Sequence, residues 1–525
     1  MSTTASGPAL CHADVPVPDG TVLATDYCLP AGAGPFPAVL VRTPYGRVAH
    51  HAELRAWARH GFAAVAQDVR GRHGSTGTWR PYLHEAADGA VVLRWLRSRP
   101  WSDGRVVACG TSYAAHAALA TALEPPEGHV GPPDPPDPPD AVIAAVPALG
   151  LAETARERGG VERLYARAGW WAAHGDRRDS DPGALDRALA ADPRLLEHLP
   201  LLDLPRRLGR PLPAWPLLWD AASADVAGRA RDARTPLLAV GGTHDPFAAD
   251  TVRLWRAWGV RTGAAARLLL GPWGHGLTAQ PGPGARPAHR IGLGALYVRF
   301  ARAALAGRLR GRRGAAGVGD SDAWLDATRF PSATAVPLNG GPWGMRTVRG
   351  AAFTADVARP VRSDRLDVPT GGVPDRCLIV SAPLPAGLHL AGSAEARIEG
   401  TADTPTADWA VRLTALTADD TAHPLAAGVA RREHDGPGQT CRIRVELGPL
   451  ARRLAAGTRL RVEVAGHHFP AHARNPHTGQ DPVRATALRP SRRTVVTAGC
   501  RLLLPVLGAS AAAARSVDPA EETTR

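Results

Sequence analysis

Hydrophobic positions fall into two regimes along this chain. Up to about residue 335, short unbroken apolar runs alternate with segments of helical periodicity. The runs at 36–43, 62–67, 106–109, 141–147, 235–241 and 265–271 are of the kind that form strands buried on both faces. Residues 20–30 read as a further strand, and 51–60, 85–97, 114–120 and 291–309 read as helices. This alternation predicts a mostly parallel, doubly wound sheet. It is interrupted from 151 to about 231, where a helical pattern rich in Arg, Leu and Trp reads as a cap inserted between strands. Beyond 335 the runs shorten to β-prone pieces at 377–381, 394–399, 409–416, 440–445, 460–464 and 493–497. Turn residues separate them, which predicts an all-β module, a sandwich or jelly roll.

Breaker residues sharpen the boundaries. Residues 125–140 contain P-P-D-P-P-D-P-P-D and predict a solvated polyproline-like loop. The Gly-rich stretch 68–77 is a loop, 308–319 reads as an Arg/Gly linker, and 509–525 as a small, polar, disordered tail. The expected layout is a core from 1–145 and 235–335, a helical cap from 146–234, a β jelly-roll domain from 336–508, and the tail from 509–525.

Composition changes this picture little. The net charge of +13 suggests a polyanion partner at first sight, but all 62 basic residues are Arg, interspersed with 49 acids and forming no long basic run. With only two Met and abundant Ala, Gly and Pro, this reads as coding bias rather than phosphate binding. The six cysteines (Cys11, Cys28, Cys109, Cys377, Cys441, Cys500) show no metal or disulfide spacing and are expected as free thiols. A signal-peptide pattern is absent from the first residues and the late apolar run 502–514 is too short to span a bilayer, so the expectation is a cytoplasmic protein.

Candidate chemistry centres on R-V-V-A-C-G-T-S-Y-A-A-H (105–116). A serine between a buried strand and an Ala-rich helix, with Gly two residues before it, is the layout of a nucleophile elbow. Ala114 stands where the G-x-S-x-G pattern has its second Gly, so an ordinary strand–turn–helix with an incidental Ser112 remains the alternative. A serine needs a base, and the base an acid to orient it. In α/β-hydrolases these follow in the order Ser, Asp, His, each after a later strand. Asp245 in G-T-H-D-P-F and His275 in G-P-W-G-H meet that order. Asp245 could instead cap a helix, His275 could be a packed loop residue, and His244 is a rival base. His467 and His468 lack ligand-spaced partners and read as structural residues of a β-module strand, so neither metal nor other cofactor is expected.

Six segments in order carry a resemblance: R-T-P-Y-G-R (42–47), Q-D-V-R-G-R (67–72), P-W-S-D-G-R-V (100–106), G-T-S-Y (110–113), G-G-T-H-D-P-F (241–247) and G-P-W-G-H (271–275). Together with A-G-T-R-L-R-V-E-V…N-P-H-T-G (456–479), they resemble the cocaine esterase/X-Pro dipeptidyl-peptidase type of serine hydrolase. The resemblance implies an α/β-hydrolase sheet with a helical cap and a C-terminal jelly roll. It implies Ser112 as nucleophile, His275 as base and Asp245 as its orienter, acting through an acyl-enzyme. It further implies an oxyanion hole from the Tyr113 N–H and the Tyr45 hydroxyl, Phe247 and Trp170 in the substrate pocket, and Asp68 and Arg70 as a buried bracing pair. Thr243 and His244 replace the aromatic residues usual before the acid, and Ala115 a usual Gly, which leaves pocket shape open. The expected partner is a small-molecule ester or amide, with no nucleic acid and no membrane, and with a homodimer left open. An X-Pro dipeptidyl aminopeptidase, an acyl transferase and a silent binding protein are the competing functions.

Overall fold

The structure, a computed structural model, describes residues 9–123, 137–433, 436, 438–507 and 516–525. Most of the proline–aspartate loop expected at 125–140 lies outside the described residues, as does 509–515 of the expected tail. Eight strands of the first domain are β1 (Leu10–Pro16), β2 (Val22–Cys28), β3 (Phe36–Thr43), β4 (Ala63–Asp68), β5 (Ser102–Thr111), β6 (Ala141–Ala145), β7 (Leu237–Gly242) and β8 (Ala266–Gly271). With Arg312–Gly317 and Trp324–Asp326 they form one sheet in the order β1-β2-β4-β3-β5-β6-β7-β8 followed by those two strands. Neighbours from β4 through Arg312–Gly317 run parallel, while β1, β2 and the last strand are antiparallel edges. Every residue of β4, β6, β7 and β8 is buried, because helices cover both faces; this is why these strands read as unbroken apolar runs.

The helices include α1 (His51–Arg59), α2 (Glu85–Arg97), α3 (Tyr113–Ala122), α4 (Leu151–Ala155) and α5 (Tyr165–His174). α4, α5 and the short helices up to Ala230–Asp232 form the cap between β6 and β7. The cap has its own core, including Trp171, Trp215 and Trp219, into which Phe469 of the second domain is packed. That second domain pairs two antiparallel sheets of seven and five strands around a common core, with Leu388–Ala402 at the centre of the larger sheet. It also grips the cap. Arg431 bonds Glu162 bidentately (3.0 and 2.8 Å) and Asp408 (2.8 and 3.0 Å). Gly159 lies so close to Ala430 that a Cβ there would meet the Ala430 Cα at 2.5 Å. The segment leading into α5 is thus held by the β domain.

Three expectations are corrected. Residues 312–317, expected within a linker, form a strand paired in parallel with β8; their small side chains carry no apolar signature. The end of the tail is ordered: Pro519–Thr524 is a helix, Val517 N–H bonds Trp324 O at 2.8 Å, and the buried Arg267 guanidinium donates to the Arg525 carbonyl. His467 and His468 lie beyond the strand Arg459–Ala465, in the segment that reaches the cap, where the His472 ring bonds Glu157 at 3.0 Å.

Burial withdraws several histidines from water. His116, His174 and His477 are each pushed down to about 4, chiefly by desolvation. In the folded chain they stay neutral at pH 5, whereas the unfolded chain binds their protons once pH drops below about 6.5. The stability they permit is therefore present above pH 6.5 and lost as pH falls from there toward 4. A lower melting temperature at pH 5 than at pH 7.5, measured by calorimetry in matched buffers, is the expected result.

Candidate active site

The chain folds Ser112 into a strained corner. β5 ends at Thr111 and α3 begins at Tyr113, leaving Ser112 at φ 59°, ψ −118°. A non-glycine residue holds such a conformation only where its surroundings over-determine it. Here Ser112 N–H bonds Ala145 O (2.9 Å), and Ser112 O accepts from the N–H groups of His116 (3.2 Å) and Ala148 (3.3 Å). Gly110 explains the spacing of the motif, since a Cβ on it would lie 2.2 Å from the Ala114 carbonyl carbon. Ala114 and Ala115 are themselves buried and accommodated, so the missing second Gly does not prevent the turn.

Tyr45, Ser112, Asp245 and His275 each follow the carboxyl end of a central strand, the side where ligands collect on such sheets. Ser112 Oγ lies 3.0 Å from His275 Nε2, and His275 Nδ1 lies 2.7 Å from Asp245 Oδ1. The Asp245 carboxylate is fully buried while the His275 side chain is 39% exposed, which leaves the base open toward a cavity. Asp245 Oδ2 has no hydrogen-bond partner among the described residues; Oδ1, on the imidazole, is the engaged oxygen. Such a chain can move a proton from the hydroxyl to the ring and hold the resulting charge. His244, the rival base, does not line the cavity above Ser112; it lines a neighbouring one of about 800 Å³ between core, cap and β domain.

The cavity above Ser112 measures about 390 Å³ and is walled by Tyr82, Tyr113, Arg167, Trp170, Phe247 and His275. Phe247 is buried, its ring edge-on to His275 with centroids 5.6 Å apart. Trp170 stacks on Tyr113 at 5.9 Å, and its indole N–H donates to the Tyr45 hydroxyl at 3.3 Å. As the first residue of α3, Tyr113 has a backbone N–H without an intrahelical acceptor. Its own hydroxyl is engaged elsewhere, donating to Glu85 Oε1 (2.7 Å) and accepting from Tyr82 N–H (2.6 Å). All seven expected site residues therefore meet around one cavity or pack on its wall.

The expected Asp68–Arg70 pair does not form. Asp68 accepts from Arg47, by backbone N–H at 2.7 Å and guanidinium at 2.5 Å, whereas Arg70 binds Asp88 bidentately at 3.1 and 2.6 Å. The bracing role falls to Arg72, fully buried, which donates to Pro44 O (2.8 Å) beside Tyr45 and to Ser180 Oγ (2.7 Å) in the cap. Sequence reading missed Tyr82 and Arg167 in the wall. Tyr82 sits at φ +69° in an irregular turn with no periodic signal. Arg167 shares one face of α5 with Trp170 and His174, and that spacing could have marked it. Among the described residues, no group of three His, Cys, Asp or Glu could hold a metal ion, and no helix is long and apolar enough to cross a membrane.

The comparisons agree on the fold. The family described as X-Pro dipeptidyl-peptidase (S15 family) matches residues 19–277, and the X-Pro dipeptidyl-peptidase C-terminal non-catalytic domain matches 313–503. The cocaine esterase of Rhodococcus sp. (strain MB1 Bresler) is 25% identical over 561 aligned positions, covering 89% of this chain and 92% of that protein. An aminopeptidase from a marine sediment Thaumarchaeota archaeon superposes with a TM-score of 0.76 at 19% identity, covering 97% and 98% of the two chains. An α-amino acid ester hydrolase gives 0.76 at 17% identity with the same coverage.

Proposed function

The chain belongs to the X-Pro dipeptidyl-peptidase (S15) family and is a serine hydrolase, and on that premise we propose that Ser112, His275 and Asp245 cleave a small ester or amide through an acyl-enzyme. Ser112 Oγ attacks the substrate carbonyl as His275 Nε2 takes its proton. Asp245 fixes the tautomer that leaves Nε2 free to do so. Collapse of the tetrahedral adduct breaks the bond to the leaving group, which receives the proton from His275. Water, deprotonated in turn by His275, then releases the acid and restores Ser112. The Tyr113 N–H and the Tyr45 hydroxyl stabilise the oxyanion, and Phe247 and Trp170 wall the substrate pocket. The observation that carries the reading is the unbroken chain Oγ–Nε2 at 3.0 Å and Nδ1–Oδ1 at 2.7 Å beneath an open cavity. The free thiols of Cys11, Cys28, Cys109, Cys377 and Cys500 support a cytoplasmic location.

A fluorophosphonate probe tests this. The expected result is one adduct, mapped by mass spectrometry to the peptide carrying Ser112, with p-nitrophenyl acetate turnover lost in proportion. Turnover that persists after complete labelling, or an adduct elsewhere, refutes the assignment. Tyr45→Phe removes one oxyanion donor; steady-state kinetics should show a fall in kcat of about 10²–10³-fold, with the melting temperature nearly unchanged.

A further inference from the structure

One wall of the cavity above Ser112 carries a charge that no counter-charge meets. Arg167, Trp170 and His174 lie along one face of α5 at i, i+3 and i+7, and all three line the cavity with Ser112 and His275. Arg167 is only 6% exposed. Its guanidinium sits 5.8 Å from the centre of the Phe247 ring and beside the Tyr82 hydroxyl, and its Nε has no hydrogen-bond partner among the described residues. The titratable groups that act on it most strongly are Tyr82, the cation Arg163 and Tyr45. Glu157, which lines the neighbouring cavity with Arg163, is already bound bidentately by it at 2.9 and 2.8 Å. The acid among the described lining residues is Asp186, exposed at the cavity mouth. Burial, reinforced by Arg163, lowers the Arg167 pKa, so its charged form gains most from any anion that enters.

A buried cation without a counter-charge is costly, and a guanidinium is shaped to take a carboxylate through two parallel hydrogen bonds. We propose that Arg167 recognises the substrate, and that the substrate is an ester or amide bearing a carboxylate on the part that fills the cavity beside Phe247 and Trp170. This deepens the serine-hydrolase reading and rests on it. The same cation repels a free ammonium, the group an X-Pro dipeptide substrate would have to bring into the pocket.

Matched substrates test the proposal without altering the enzyme. Mono-4-nitrophenyl succinate is compared with its methyl ester for an acyl-side carboxylate, and 4-acetoxybenzoate with methyl 4-acetoxybenzoate for a leaving-group carboxylate. The wild-type enzyme should favour the anionic member of one pair by about tenfold or more in kcat/KM. The ratio should collapse in Arg167→Met and be partly kept in Arg167→Lys. No anion preference in either pair, or a preference untouched by Arg167→Met, overturns the proposal. If no ester is turned over and Ser112 takes no fluorophosphonate, the serine-hydrolase reading has failed. Calorimetric titration of Ser112→Ala with succinate then still decides the role of Arg167: binding that disappears on adding Arg167→Met supports it, and no binding refutes it.

Discussion

Asp245→Asn will lower kcat by about 10⁴-fold at neutral pH while leaving the fold and KM little changed. The carboxylate is fully buried and its Oδ1 lies 2.7 Å from His275 Nδ1. An ionised Asp245 accepts the Nδ1 proton, which leaves Nε2 with a free lone pair facing Ser112 Oγ at 3.0 Å. An asparagine can present its NH₂ group instead, stabilising the tautomer with the proton on Nε2, which cannot accept the serine proton. The negative charge that holds the imidazolium in the transition state is lost as well. The effect falls on the transition state and not on substrate binding, so kcat and kcat/KM should fall together. Stopped-flow and steady-state assays with p-nitrophenyl acetate read the loss, and circular dichroism checks the fold. A fall of less than tenfold would mean that another group orients His275.

How much of this was legible beforehand depended on the type of signal each residue left. Central strands buried on both faces must be apolar throughout, so β4, β6, β7 and β8 stood out as unbroken runs, and the residues just past them could be ordered into a candidate triad. Strand Arg312–Gly317, R-R-G-A-A-G, gave no such run: its inner positions are small because it packs tightly on β8, with a Gly314 Cβ meeting Leu268 Cβ at 2.8 Å. The C-terminal helix is six residues long and would not persist alone; contacts to the sheet edge hold it. The Asp68 and Arg70 partners were unreadable for a different reason. Two charges close in sequence suggest each other, yet Asp68 meets Arg47 and Arg70 meets Asp88, partners decided by how loops cross above the sheet. Arg167 left only its spacing with Trp170 and His174 on one helix face; its burial, which is what makes an arginine unusual, left no mark.

The second large effect concerns stability, and it begins beneath α3. Arg42 in β3 and Glu85 at the start of α2 form a pair whose side chains are 1% and 4% exposed, with Nη2 3.1 Å from Oε2. Arg42 also donates to Gln67 Oε1 (3.2 Å) and the Glu85 carbonyl (2.6 Å), while the other Glu85 oxygen accepts the Tyr113 hydroxyl at 2.7 Å. Glu85 therefore joins β3 to the first residue of α3, directly after Ser112. Burial is the largest influence on its carboxyl and raises its pKa, with Arg42 opposing. Removing Arg42 alone strips away the group that makes ionisation there tolerable. Arg42→Met should destabilise the protein by about 3–5 kcal/mol, read as a drop in the denaturation midpoint of the α/β domain. Arg42→Met combined with Glu85→Gln should recover part of the loss, because a neutral amide can still accept from Tyr113 without a stranded charge. The recovery separates electrostatics from packing: if the double variant is no more stable than Arg42→Met, the lost guanidinium was acting through its volume and its bonds to Gln67, and the buried ion pair was not the stabilising unit.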